Sequence, residues 1–240
     1  MIANMAGLFS SLARHSATGH AIELDGVRAA VVPACPQRSV VNCVVYSSAE
    51  ALADQLGRLA EEYERAGVRA WTVWVPEADH RVAAFLEGAG HVLDARPAAM
   101  VRSLDGIEPP AIELDLIEPD MAVAARVNDV AYGFPGDFER AFQRMPPSPA
   151  YLYVARADGA PACTLLTYEE DGECGIYLVA TSPEARGRGL ATALMSRALI
   201  DAHERGCATT SLQATARGRP VYQRLGYRDI GVVQMWERRR

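Results

Sequence analysis

The pattern of apolar and polar residues in the second half of the chain predicts an antiparallel sheet followed by a long helix. Three strand-like runs, at 151–156, 162–168 and 174–181, are separated by the pairs Asp158-Gly159 and Asp171-Gly172, which favour hairpin turns. From 189 to 204 apolar residues recur every three or four positions, as in an amphipathic helix. The remaining periodic stretches predict helices at 120–131, 136–144 and 218–224 and strands at 208–213 and 230–236.

The first half of the chain repeats part of this order. After a hairpin through Asp25-Gly26 and a strand at 39–46, the pattern predicts a helix at 48–66, a strand at 70–76, a short helix at 79–88 and a strand at 91–101. The strings LEGAGHVLD at 86–94 and YQRLGYRDI at 222–230 also correspond loosely. We interpret this repetition as an internal duplication.

The segment 105–115 contains a glycine and a Pro-Pro pair and is typical of a linker. It divides the chain into two predicted units, 1–110 and 114–240. The expected fold class is α/β, with a mixed, twisted sheet in two tandem units.

Composition and charge restrict the expected cellular compartment and the expected classes of binding partner. The chain has 240 residues, a net charge of −6 and five scattered cysteines without a CxxC pair. Reduced thiols in the cytoplasm fit this pattern better than disulfides or a zinc site, so no metal is expected. No apolar run is long enough to span a membrane, the N-terminal residues do not resemble a signal peptide, and the acidic balance argues against a nucleic-acid partner.

The candidate chemistry lies where a predicted strand ends near Thr181 and a helix begins at Gly189. The loop between them reads Arg186-Gly187-Arg188-Gly189. Free backbone N–H groups at a helix N-terminus bind anions, and glycines let a ligand approach the backbone closely. The loop lacks the lysine of a Walker A motif and the third glycine of a dinucleotide fingerprint. It therefore predicts a different pyrophosphate site.

Two motifs resemble those of the Gcn5-related N-acetyltransferase (GNAT) superfamily over residues 114–240. Arg186, Gly189 and Ala191 match the acyl-CoA-binding pattern [QR]-x-x-G-x-[GA], and 222–227 resembles the signature YxxLGF, with Tyr227 in place of Phe. The resemblance implies acetyl-CoA as the donor. It implies that the pantetheine arm and the pyrophosphate are held by Val179, Ala180, Thr181, Arg186, Gly187, Arg188, Gly189, Leu190, Ala191 and Thr192. The family often has an Asn before the Tyr, where this chain offers Gln213 and Thr215.

The resemblance also implies a mechanism of direct transfer in a ternary complex. Tyr222 is the candidate general acid, and its alternative role is to pack the short helix onto the sheet. Glu173 is the candidate general base, with Asp137 and Glu139 as alternatives. A strand N–H near Val179 would polarise the thioester carbonyl.

The predicted function is acetyl (or short acyl) transfer to a primary amine of a small molecule or peptide. The acidic balance favours small or cationic acceptors such as polyamines, aminoglycosides or amino acids. The alternative is a non-catalytic acyl-CoA-binding sensor or regulatory protein. The sequence is compatible with a homodimer and does not determine the oligomeric state. Aromatic residues of the 132–149 loop are expected to cover the acceptor or to pack in the core: Tyr132, Phe134, Phe138 and Phe142.

The first unit is expected to be a degenerate copy that does not bind coenzyme A in the usual way. It has no basic glycine-rich loop after Tyr46, and Leu86 stands where Tyr222 would align. Its expected roles are to extend the sheet, to shape the acceptor cleft or to mediate self-association.

Overall fold

The computed structural model describes all 240 residues. The first half begins with a helix and continues as a strand-rich unit. Its elements are α1 (Ile2–His15), β1 (His20–Leu24), β2 (Val27–Val31), β3 (Cys43–Tyr46), α2 (Ala49–Arg65), β4 (Ala70–Pro76), α3 (His80–Gly88), β5 (Val92–Ala95) and β6 (Ala98–Ser103).

The second half contains the predicted meander, long helix and closing strand–helix–strand. Its elements are β7 (Asp115–Leu116), α4 (Met121–Tyr132), α5 (Asp137–Ala141), β8 (Ala150–Ala157), β9 (Ala160–Glu170), β10 (Glu173–Thr181), a 3₁₀ turn (Pro183–Ala185), α6 (Leu190–Glu204), β11 (Thr209–Ala214), α7 (Arg219–Arg224) and β12 (Arg228–Arg239). None of the helices combines the length and apolar character that crossing a membrane requires.

Local sequence signals account for most of these boundaries. Asp120 caps α4 by accepting hydrogen bonds from the N–H groups of Ala122 and Val123, and Ser48 caps α2 through the N–H of Ala51. The single strand predicted at 91–101 is instead two strands, β5 and β6. Pro97 separates them, since it has no N–H to donate to a ladder.

Helix α1 was not predicted, although its apolar residues Met5, Leu8, Phe9 and Leu12 follow a helical period and are all buried. The helix packs on β1 and β2 of its own half and on β9 and β10 of the other. The Asn4 amide donates to the carbonyls of Tyr168 and Glu173 and accepts from the Tyr177 hydroxyl. Thus α1 joins the two halves.

All strands form one sheet, with the order β1-β2-β3-β4-β12-β6-β11-β10-β9-β8-β7 and β5 paired to β12. In each half, two strands are parallel and joined by a long helix: β3 and β4 through α2, and β10 and β11 through α6. The repeated order confirms the predicted mixed α/β sheet in two tandem units. Trp71 and Trp74 on β4 are buried in different core clusters on opposite faces, as their odd spacing predicts.

The two halves exchange their last strands. Strand β6 of the first half lies between β11 and β12 of the second and is antiparallel to both. The end of β12, from Val233 to Arg239, lies between β4 and β5 of the first half. Neither 1–110 nor 114–240 therefore contains every strand of the sheet region that it builds. These domain limits stay a prediction.

Candidate active site

A cleft opens between β10 and β11 because these parallel strands pair only at their beginnings. Residues 173–175 pair with 209–211, and beyond them the strands separate. On its other side β10 continues to pair with β9 through a bulge between Tyr177 and Ala180. Leu178 in the bulge has a φ of 49°, in the left-handed region. Such strain in a leucine is typical of functional sites.

The loop after β10 leaves the start of α6 open. Gly187 and Gly189 have φ angles of 76° and 79°, and Gly189 occupies the N-cap position without a side chain to cap the helix. The backbone N–H groups from 187 to 192 donate to no acceptor of the protein. Residues 187–189 are exposed. This is the geometry of an anion site at the positive end of a helix.

A cavity of about 660 Å³ lies between this loop, the end of β10 and α7. Nine of the ten residues predicted to hold the coenzyme line it, and Arg188 does not. The Arg188 guanidinium instead pairs with Asp158 at 2.6 Å. Arg186 lines the cavity while donating to the carbonyls of Thr181 and Ala131, which ties the loop to β10 and α4. The role of each residue in binding stays a prediction.

Sequence reasoning missed part of this lining. Arg217 and Arg224 add positive charge that no carboxylate neutralises, and Thr215 and Gly218 add polar surface from the segment before α7. No acidic residue lines the cavity. The basic run at 217–219 was the available signal, but the chain alone did not place it opposite the loop. The lining suits a ligand with several phosphates.

Tyr222 on α7 lies at the junction of this cavity with a second one. It lines both, together with Tyr132, Val179 and Thr215. Its side chain is half-buried, and its hydroxyl has no hydrogen-bond partner in the protein. Burial, together with the neighbouring Tyr132 and Cys163, raises the pKa of the Tyr222 phenol well above its usual value. The phenol therefore keeps its proton throughout the neutral and mildly alkaline range.

The second cavity, of about 550 Å³, lies between the two halves and is lined mostly by hydrophobic residues. Tyr132, Phe134 and Phe138 of the aromatic loop line it. Phe142 does not; it is 1% exposed and packs against Phe138 in the core. Core packing thus describes Phe142, and cover of the acceptor by the other three aromatic residues stays a prediction. The Tyr132 hydroxyl donates to the Val179 carbonyl at 2.8 Å, beside the bulge.

The structure does not bring the candidate bases into either cavity. Glu173 stands at the opposite end of β10 from Val179, about 20 Å away at the rise of an extended strand. Its carboxylate contacts the Met1 amine at 2.5 Å and accepts from Ser211. Asp137 pairs with Arg38 and Arg140, and Glu139 pairs with Arg126. The assignment of the base to Glu173 stays a prediction that these contacts do not favour.

All five cysteines are free, as the sequence predicts, and buried. Burial raises the pKa of Cys163, whose charge would act on Tyr222, to about 11, so its thiol keeps its proton. No group of three or more histidine, cysteine or acidic side chains is arranged to hold a metal ion.

The equivalent place in the first half is closed. Helix α2 also follows a strand of a parallel pair, but the Ser48 side chain caps its first turn. Leu86 of α3, at the position that corresponds to Tyr222, is fully buried in the core. The contrast between a serine cap and a glycine cap explains why only one half presents free N–H groups.

The substitution Gly189→Ala is expected to weaken coenzyme A binding by about tenfold. An L-residue at φ 79° is disfavoured by roughly 1–2 kcal/mol, so the loop relaxes and its N–H groups lose their alignment. Calorimetric titration with coenzyme A measures the change. Gly172→Ala is the matched control, because Gly172 has a φ of 74° in the β9–β10 turn, and a Cβ meets nothing there. Equal affinity in both variants would contradict the role of the loop.

This fold and cleft can be compared with those of known proteins. Residues 148–229 match the family model described as acetyltransferase (GNAT) domain. They form a domain of the Gcn5-related N-acetyltransferase superfamily, as the two motifs predicted. No curated protein sequence matches the chain.

Solved structures share the fold over most of the chain. A GCN5-related N-acetyltransferase from Kribbella flavida aligns with a TM-score of 0.69 and 16% identity, over 98% of this chain and 94% of that one. One from Sphaerobacter thermophilus aligns with a TM-score of 0.58 and 20% identity, over 89% and 76%. A tandem GNAT protein from the clavulanic acid biosynthesis pathway has a TM-score of 0.58 and 18% identity, over 89% and 78%. At these identities the likeness concerns the fold.

Proposed function

We propose that the protein is an N-acetyltransferase that transfers an acetyl group from acetyl-CoA to a primary amine in a ternary complex. The observation that carries this proposal is the position of Tyr222, which lines both the basic cavity and the apolar one. A donor in the first cavity and an acceptor in the second would meet at this side chain.

The residues of the basic cavity fit coenzyme A. The free N–H groups of 187–192 would hold the pyrophosphate, and Arg217 and Arg224 lie across the cavity as further cations for phosphate. The edge of β10 at 179–181, where it no longer pairs with β11, offers backbone groups to the amides of the pantetheine arm. Arg186 would act through the loop that it ties to β10.

When bound, acetyl-CoA supplies a thioester whose carbonyl carbon forms a bond to the amine nitrogen as its bond to sulfur breaks. Tyr222 would donate its proton to the leaving sulfur. Its raised pKa keeps the phenol protonated at neutral pH, so the proton is in place when the sulfur leaves. Backbone N–H groups near the bulge at Val179 would stabilise negative charge on the carbonyl oxygen.

The nitrogen loses a proton as the amide forms, and no carboxylate lines either cavity to accept it. We propose that the amine enters in its neutral form and that the proton released from its nitrogen returns to the Tyr222 oxygen, which has given its own proton to the sulfur. Two features favour the neutral form of the amine. The positive charges of Arg186 and Arg217 in the first cavity repel an ammonium group, and the apolar wall of the second cavity disfavours its burial.

A screen of primary amines with acetyl-CoA, followed by release of free thiol, tests the proposal. We expect steady release with at least one class of amine and a rate that rises with pH as the amine deprotonates. Binding of acetyl-CoA without release for any amine would overturn transferase activity in favour of an acyl-CoA sensor. Absence of binding would overturn both.

A further inference from the structure

The apolar cavity beyond Tyr222 has a lining that selects its ligand. Of its 22 lining residues, 18 are hydrophobic and none is acidic. The single charged residue is Arg96, which is cationic and pairs with Glu77 at the surface. The uncharged polar residues of the lining are Gln213 and Thr215, so a ligand in this cavity meets mostly apolar surface, two uncharged polar side chains and one guanidinium.

This lining disfavours the cationic acceptors that the overall acidity of the chain suggests. A polyamine or aminoglycoside keeps further ammonium groups after one amine has been deprotonated. Each of these would lose its hydration in the cavity without gaining a carboxylate, and burial of an unpaired charge is strongly unfavourable. An alkyl or aryl group, in contrast, gains free energy in proportion to the apolar area that leaves water.

Both halves of the chain build the cavity. Phe9 of α1, Val40 of the loop before β3 and Trp74 of β4 come from the first half, and Phe134, Leu178 and Met235 come from the second. The first half thus supplies one wall of this cavity, although it has no open helix N-terminus of its own. Trp74 is 4% exposed and forms part of this wall.

We propose that the acceptor is a primary amine carried on an apolar body, an arylalkyl or alkyl group, which lies between the two halves while its nitrogen reaches Tyr222. This inference rests on the proposed function and specifies its substrate class. The acceptor takes the cavity in preference to a long acyl chain of the donor. The reason is that Tyr222 adjoins these two cavities, and an acyl chain in the second would close the approach of the amine.

The test compares 2-phenylethylamine with spermidine as acceptors for acetyl-CoA, in the wild-type protein and in Val40→Asp. Val40 is partly buried and lines the cavity, so the variant adds a carboxylate to a wall that has none. For the wild type we expect kcat/KM for 2-phenylethylamine to exceed that for spermidine by about tenfold or more. In Val40→Asp this ratio is expected to fall by about tenfold, through loss of the apolar amine and gain of the cation.

Ile22→Asp is the matched control. Ile22 is also partly buried, but it lies on the edge strand β1 and lines neither cavity. The ratio of the two amines is expected to stay at the wild-type value in this variant. Tryptophan fluorescence gives a second readout, since Trp74 lines the cavity: titration of the coenzyme A complex with 2-phenylethylamine is expected to change the emission, and spermidine is not.

Three outcomes would contradict the apolar acceptor or the proposed function. Faster transfer to spermidine than to 2-phenylethylamine in the wild type would overturn the apolar acceptor while leaving the proposed function intact. Higher kcat/KM with decanoyl-CoA than with acetyl-CoA would assign the cavity to the acyl chain and overturn the inference in the same way. Absence of thiol release with every amine would overturn the proposed function itself.

Discussion

Residues 1–113 and 114–240, produced as separate polypeptides, are expected not to form a stable fold. The second segment would lack β6, which lies between β11 and β12, and with it the fully buried Met100 and the adjoining Leu104. Removal of one such core side chain costs about 2–5 kcal/mol, and a typical domain is stable by only about 5–15 kcal/mol. The first segment would lose the strand between β4 and β5 in the same way.

Circular dichroism during thermal unfolding and calorimetric titration with coenzyme A measure this loss. The control is the full chain with a protease site inserted between Glu108 and Pro109 and cleaved after folding. The nicked protein is expected to stay associated and to bind coenzyme A, because the exchanged strands hold the pieces together. Cooperative unfolding and coenzyme binding by 114–240 alone would show that the exchange is not needed for folding.

The exchange also marks the limit of sequence reasoning for this chain. Local signals predicted the individual elements well: a hairpin at Asp158-Gly159, a cap at Asp120 and the helical period of α6 each depend on residues close in the chain. The patterns of β6 and β12 predict strands, but a strand pattern does not specify its partner. Pairing of β6 with β11 joins residues about a hundred positions apart, and only the tertiary structure determines it.

The same limit applies to the candidate site: its local part could be predicted from the sequence, and its long-range part could not. The coenzyme loop is one contiguous segment, so its glycines, its free helix start and its family motif could be found together in the sequence. The apolar second cavity combines residues from both ends of the chain and from the exchanged strand β12. The overall net charge favours cationic acceptors, but the acidic residues of this chain lie outside the cavity lining. Glu173 has the carboxylate that a general base needs, but it lies at the start of β10, far from Tyr222.

The substitution Tyr222→Phe is expected to lower kcat for amine acetylation by about 10²–10³-fold and to change the Kd for coenzyme A by less than about threefold. The variant keeps the ring, which packs edge-on against Tyr227 at 6.0 Å, and removes only a hydroxyl that has no partner in the protein. Folding and coenzyme binding therefore have little reason to change. The leaving sulfur, in contrast, loses its proton donor. Rates of thiol release and calorimetric titration measure the two quantities separately.

Tyr227→Phe makes the same chemical change five residues further along the chain and serves as the control. Tyr227 is 3% exposed, lines neither cavity and shares a hydrogen bond of 2.9 Å with Thr210. Its loss should reduce the free energy of unfolding by about 1 kcal/mol and leave kcat near the wild-type value. The two variants thus separate chemistry from packing: Tyr222→Phe should affect turnover and Tyr227→Phe stability. Wild-type turnover in Tyr222→Phe would assign Tyr222 to packing and leave protonation of the sulfur to water.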